Sequence, residues 1–313
     1  MRLAVLADIH GNLAALEAIL ADMAQQGVDG IIVAGDFVDQ PQPLETVGML
    51  RALGCWMIRG NRENYLLAYH RGDAPERWHV SIQWTGLRWS YRQLDREALD
   101  FIASLPEQRV VTVAGTPPIR VVHGSPRSVT ELLLPDHDPV AMAQYEQAGL
   151  LALNYSQLGL DAALAEFDEP VLVCGHSHIP WSQHQKGRFV VNPGSAGAPL
   201  DGNVRAQYAV LTWQRGEWRA EHRAIPYDLD RIRDAYRESG ALAQGGGFTR
   251  ALLRCIETGQ NVPGHLLDHF YALAARAGFG DQDVIPDSIW EQAVATFDWK
   301  TGRVSHEGRQ ACP

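Results

Sequence analysis

Short apolar runs alternate with amphipathic stretches over the first 60 positions. Leu3–Ala7, Ile31–Ala34 and Cys55–Ile58 are such runs, each ending at polar or glycine residues. They are too short for helices and predict buried strands. Between the first two, Leu13, Leu16, Leu20 and Met23 recur at spacings of three and four. Asn12 is placed to cap that stretch and Gly27 to close it, which predicts a helix. A second helix is predicted over 44–52. This strand and helix rhythm predicts a parallel or mixed sheet covered by helices.

Further along, strands are predicted over 109–114, 118–122, 171–174, 188–191, 207–213 and 218–224. The last three read as a largely antiparallel sheet, with a tight turn at 214–217. Residues 128–165 read as a mainly helical insertion broken by the loop Pro135–Pro139. Beyond Pro226 the pattern predicts helices over 229–238, 248–258, 265–277 and 287–297. Gly245–Gly247 between the first two reads as a turn or a hinge. The expected architecture is mixed α/β. Two sheets with helices outside occupy 1–225, and a helical extension over 226–313 packs on that core.

Composition narrows the class. With 46% hydrophobic and 20% charged residues among 313, general disorder is excluded. A net charge of −10, with tryptophans scattered rather than interleaved with basic residues, argues against long nucleic acids as partners. Cys55, Cys174, Cys255 and Cys312 form no close pair, so neither a disulfide framework nor a thiolate metal site is expected. The opening apolar run is too short for a secretion signal, and no run approaches the ~20 residues of a membrane helix. A soluble, cytoplasmic protein is expected, with a homo-oligomer left open.

The informative feature is where the polar residues fall. Asp8 and His10 follow the first apolar run, Asp36 and Asp39 the second, and Asn61 the third. His123 follows 118–122, and His176 and His178 follow 171–174. Strand ends are where an open α/β sheet carries its site. Two carboxylates, an amide and four imidazoles suit Mn, Fe, Co, Ni or Zn better than a calcium cage. Seven candidate ligands exceed one tetrahedral site, and two metals sharing a carboxylate would use them.

Asp8-x-His10, Gly35-Asp36-x-x-Asp39, Gly60-Asn61, His123-Gly124 and Gly175-His176-x-His178 together resemble the calcineurin-like metallophosphoesterases, of the bacterial predicted phosphodiesterase type. The resemblance spans about 1–225. It implies a two-layer β-sandwich flanked by helices, and hydrolysis of phosphate mono- or diesters by metal-activated water. It further implies that Asp8, His10 and His178 hold one metal, that Asn61, His123 and His176 hold the other, and that Asp36 bridges them. The segment Asn192–Ser195 resembles the family's turn near the site.

One position departs from the pattern. Many family members carry His immediately after the metal-binding Asn, where it assists the leaving group, and here Arg62 stands there. Arginine stays protonated, so it is a poor acid but a good phosphate clamp. The expected catalytic set is therefore Asp36, Asn61 and Arg62, with diesters or activated esters preferred. Arg62 could instead form a salt bridge to Glu63 or another acidic loop. Arg127 is a further candidate substrate contact. Asp39 is expected to cap its loop or to orient His10, His137 to sit in a solvated loop, and His265 and His269 to mark a polar helix face. A dinucleotide hydrolase or nuclease is the alternative enzyme. A non-catalytic metal-binding scaffold is the alternative class.

Overall fold

The computed structural model describes residues 1–151, 156–280 and 284–302. Strand β1 (Arg2–Leu6), helix α1 (Leu13–Gln26), β2 (Gly30–Val33), α2 (Pro43–Leu53) and β3 (Trp56–Met57) realise the opening rhythm. Both strand pairs are parallel. Alternation along β1 divides its burial between two faces. Leu3, Val5 and Ala7 enter a core shared with the second sheet. Ala4 and Leu6 pack with Leu16, Ile19 and Met23 of α1. Asn12 Oδ1 accepts from Ala15 N at 3.1 Å, and Gly27 ends the helix in the left-handed region.

A helical stretch follows: α3 (Asn61–Arg71), α4 (Glu76–Val80), a 3-10 turn at Ile82–Trp84, α5 (Thr85–Gln93) and α6 (Arg96–Ser104). Leu66, Leu67, Trp78, Leu87, Leu99 and Ile102 bring it into the α1 side of the first sheet. Strands β4 (Arg109–Val111) and β5 (Ile119–Val121) open the second sheet. Then come β6 (Leu132–Leu134), α7 (Pro139–Gln147), β7 (Gln157–Gly159) and α8 (Leu160–Ala163). The expectation of a mainly helical insertion over 128–165 needs correction here. Strands β6 and β7 pair in parallel as a separate ribbon. The ribbon forms because Leu132, Leu133 and Leu158 are buried against Leu172 and Val190 on the outer face of the second sheet.

The remaining strands are β8 (Val171–Val173), β9 (Pro180–Gln185), β10 (Arg188–Pro193), β11 (Ala206–Gln214) and β12 (Glu217–Ile225). The first sheet runs β12-β11-β1-β2-β3 and the second β4-β5-β8-β10-β9. Strand β10 is parallel to β8, whereas β11 and β12 pair beside β1. The three late strands therefore do not share one antiparallel sheet. They divide between two, because Val191 of β10 and Leu211 of β11 face each other's sheets across the common core. Between β11 and β12, Gln214 pairs with Glu217 around Arg215 and Gly216, both at positive φ, a two-residue hairpin turn.

After Ile225 come α9 (Leu229–Glu238), α10 (Ala241–Gln244), α11 (Gly246–Thr258), α12 (Val262–Arg276) and α13 (Asp287–Thr296). The triglycine forms the entry to α11, and a Cβ on Gly247 would fall 2.4 Å from a Val294 methyl. Ile232, Tyr236, Cys255 and Ile256 pack with Trp89 of α5 and with Ala198. Asn261 donates to Ala148 O at 3.1 Å. No helix among the described residues is long and apolar enough to cross a membrane.

Candidate metal centre

The loops leaving β1 and β2 are bonded to each other, which places their polar residues side by side. Asp8 N donates to Gly35 O at 3.1 Å, and His10 N to Asp36 O at 3.0 Å. Gly60 approaches this pair so closely that a Cβ there would lie 2.2 Å from Asp36 Oδ1. Asp8, His10, Asp36, His176 and His178 all adopt positive φ between 48° and 66°. Such backbone is uncommon outside glycine, and its concentration at one site marks strain held by surrounding structure.

Two buried clusters result, Asp8 with His10 and His178, and Asp36 with His123 and His176. Within each cluster the ligand-capable atoms lie within 4.8 Å of one another. Asp36 Oδ2 faces both, 3.4 Å from His123 Nε2 and 3.8 Å from His10 Nε2. Asp36 thus lies between the two clusters. Asn61 Oδ1 lies 3.1 Å from His123 Nε2, on the second cluster's side. The structure thus brings together all seven residues singled out from the sequence.

Three of the four histidines have one ring nitrogen occupied. His123 Nδ1 meets Ala34 O at 2.8 Å, His178 Nδ1 meets Ala198 O at 2.6 Å, and His176 Nε2 meets Thr130 O at 3.2 Å. Such bonds fix ring orientation and leave the other nitrogen for a metal. The segment Asn192–Ser195 buttresses the same loops. Asn192 Nδ2 donates to Gly175 O at 2.8 Å and Ser195 Oγ to Asp8 O at 2.7 Å.

The donor chemistry fits two divalent transition metals. Asp8 Oδ2 takes the His176 N–H. Asp8 Oδ1 is buried and takes no hydrogen bond among the described residues; it faces His178, His10 and His123 nitrogens at 3.3, 3.9 and 3.9 Å. A buried carboxylate oxygen is left that way only at a cost unless a cation meets it. Burial opposes charge on Asp36, yet the His123 ring beside it holds that carboxyl far below the usual range. Burial likewise opposes charge on His123, but Asp36 and Asp8 raise its pKa well above the ordinary value. Burial and the neighbouring His123 push His176 down to about 4.

Arg62 pairs with Asp39, Nη2 to Oδ2 at 2.7 Å, and not with Glu63. Its backbone N donates to Asp36 Oδ1 at 2.8 Å. Its Nε is buried and takes no partner among the described residues. Asp39 also lies 3.6 Å from His10 Nδ1, so the orienting role expected for it extends to Arg62. Glu63, unremarked as a site residue in the sequence, is fully buried and accepts from the backbone N of Asp36, Phe37, Val38 and Gly60 at 2.7–3.0 Å. It staples the β2 loop to the start of α3.

Arg127 is not drawn to the clusters. Its guanidinium forks onto Glu131 at 2.7 and 3.1 Å, and Arg127 does not line the cavity over the two clusters. The expected substrate contact is therefore replaced by an ion pair, because Ser125 and Ser156 already hold Glu131 in place for it. His269 bonds Thr296 Oγ1 at 2.7 Å, and His137 lies among Asp136 and Asp161.

The cavity over the clusters is walled on one side by His10, Asp36, Asn61 and Arg62, and on the other by Phe248, Leu252 and Leu267 of the extension. Residues 1–216 match the Calcineurin-like phosphoesterase superfamily domain. An uncharacterized protein of Methanocaldococcus jannaschii is 27% identical over 246 residues, covering 72% of this chain and 88% of that protein. The phosphodiesterase YfcE of Escherichia coli K12 is 28% identical over 211 residues, covering 67% and 87%. Among solved structures, a metallophosphoesterase from Sphaerobacter thermophilus is 27% identical, with a TM-score of 0.56 over 78% of this chain and 99% of that one. A hypothetical protein from Pyrococcus horikoshii shares the fold at 19% identity, with a TM-score of 0.60 over 82% and 98%. With 216 of its residues matched by the family's domain and both His/Asp clusters in place, the chain belongs to the calcineurin-like metallophosphoesterase superfamily.

Proposed function

We propose that this protein hydrolyses small phosphate esters, with diesters and activated esters favoured over alkyl monoesters, in a reducing cytoplasmic setting that suits its free thiols. Asp8, His10 and His178 would hold one metal, Asn61, His123 and His176 the other, and Asp36 would stand between them. When bound, two divalent metals supply Lewis-acid polarisation of the phosphoryl oxygens and acidify water. Water would give up a proton to solvent as its oxygen bonds to phosphorus, the ester P–O bond would break, and the departing oxygen would take a proton from solvent.

The observation that carries the preference is Arg62. Arg62 lines the cavity beside both clusters, with Nη2 anchored on Asp39 and Nε without a partner among the described residues. An anchored, permanently charged donor stabilises negative charge growing on a phosphoryl oxygen. It cannot protonate a poor leaving group, so good leaving groups gain most.

The test is leaving-group dependence, measured on aryl and alkyl mono- and diesters with two metals bound per chain. Rates should fall steeply as the leaving alcohol becomes less acidic. Arg62→Ala should lower diester turnover about 10- to 100-fold without changing metal content. Equal rates for alkyl monoesters and aryl diesters would sink the preference. A fully metallated protein that hydrolyses no ester would sink the enzyme.

A further inference from the structure

A second cavity of about 230 Å³ opens beside the metal clusters and shares Asn61 and Arg62 with the first. Its apolar walls are Tyr65, Trp84, Leu87, Phe248 and Leu267, and Gln83, Thr130 and His176 line its polar side. Trp84 leans on Trp78 with centroids 4.9 Å apart, and Trp78 meets Tyr65 edge-on at 5.1 Å. The aromatic wall is thus held rigid from behind. Phe248 and Leu267, on the opposite side, come from α11 and α12, outside the 1–216 family match, so that side of the cavity is a feature of the extension.

We propose that this cavity holds a flat, two-ring aromatic group on the ester's second alcohol, making Trp84, Leu87 and Phe248 specificity-determining residues. The inference rests on the phosphoesterase reading for the reaction, but its binding component does not. Size sets the class. A dry cavity of about 150 Å³ accepts a single benzene ring. The larger space here suits a fused pair of rings and is too small for a polymer. Chemistry agrees, since aromatic walls favour flat π-systems in stacked or edge contact. Position agrees too, since Asn61 and Arg62 line both this cavity and the one over the His/Asp clusters.

The test uses diesters that share a 4-nitrophenyl leaving group and differ only in the second ester group, methyl or 2-naphthyl. The two-metal protein should favour the naphthyl ester by about 10-fold or more in kcat/KM, the scale of one good aromatic contact. Non-hydrolysable 2-naphthylmethylphosphonate and ethylphosphonate, compared by calorimetry, should show the same preference in Kd. Trp84→Ala and Phe248→Ala should each bring the ratio toward one, and Trp84→Phe should retain most of it. If the alanine variants fold poorly, Leu87→Phe fills the cavity and should invert the preference toward the small group. A wild-type ratio near one in both measurements overturns the cavity assignment and leaves hydrolysis standing. Absence of turnover with selective phosphonate binding overturns hydrolysis and leaves the cavity assignment standing.

Discussion

At the scale of single residues, one carboxylate sets two side chains: Asp39 reaches His10 at 3.6 Å and Arg62 at 2.7 Å. Asp39→Asn should therefore weaken metal binding about 10- to 100-fold, read by competition with a chelating dye. It should lower diester turnover further once metal is restored to saturation, since Arg62 loses its anchor. Proton balance gives a second prediction. Without metal, His123 keeps its proton at neutral pH because Asp36 and Asp8 outweigh burial. A metal needs the neutral ring, so binding releases that proton and apparent affinity rises with pH. Calorimetry in buffers of differing ionisation enthalpy should show the release, and a buffer-independent enthalpy would contradict it. The stability of the metal-free fold runs the opposite way. The His123 contribution is complete below about pH 6.5 and is lost as pH rises through the raised value. The seven ligand candidates were readable because each follows an apolar run. The partner of Arg62 was readable only as Glu63 or another acidic loop, and it is Asp39 of the loop after β2. Glu63 is next to Arg62 in the chain, yet Glu63 is turned inward onto four backbone N–H groups, and only the fold reveals that commitment.

At the scale of elements, the turn at Gly60 is the tightest joint of the centre. Gly60→Ala would drive a Cβ to 2.2 Å from Asp36 Oδ1, against a carboxylate already held by Arg62 N. The variant should lose about 2 kcal/mol of stability in denaturant titration and bind fewer than two metals per chain by elemental analysis. The opening strands, α1 and the β11–β12 hairpin were readable from period and turn residues. Helices α3 to α6 are not legible in the pattern, although Asp95 caps α6 and Leu99 and Ile102 are spaced by three. Their apolar positions are sparse and interrupted by aromatic and charged residues, so no single stripe stands out. Strand β6 misleads for another reason. Three leucines in a row suit a helix as well as a strand, and only their burial against β8 and β10 decides between them.

At the scale of the whole molecule, the extension is joined to the core by buried contacts rather than appended to it. Tyr236 and Ile256 pack with Trp89, and Arg231 pairs with Glu17 of α1 at 2.8 Å. Limited proteolysis under native conditions should spare the link between Ile225 and Leu229. A cut there that releases a folded core with its melting temperature unchanged would contradict the packing. The extension's existence was readable from its apolar periods, but its partners were not, because α5 belongs to a stretch the pattern left blank. The sheet order has one more consequence, for the chain as it is made. Strand β1 lies between β2 and β11, and Leu3 pairs with Leu211. At roughly 5–20 residues per second, an emerging chain waits about 10–40 s between making the first of these and the second. Through that interval one edge of an apolar central strand has no neighbour, and Ser195, which bonds the Asp8 carbonyl, appears only near its end. A ribosome carrying this chain therefore holds Asp8 and His10, the first of the ligand candidates, long before the chain can close the site around them.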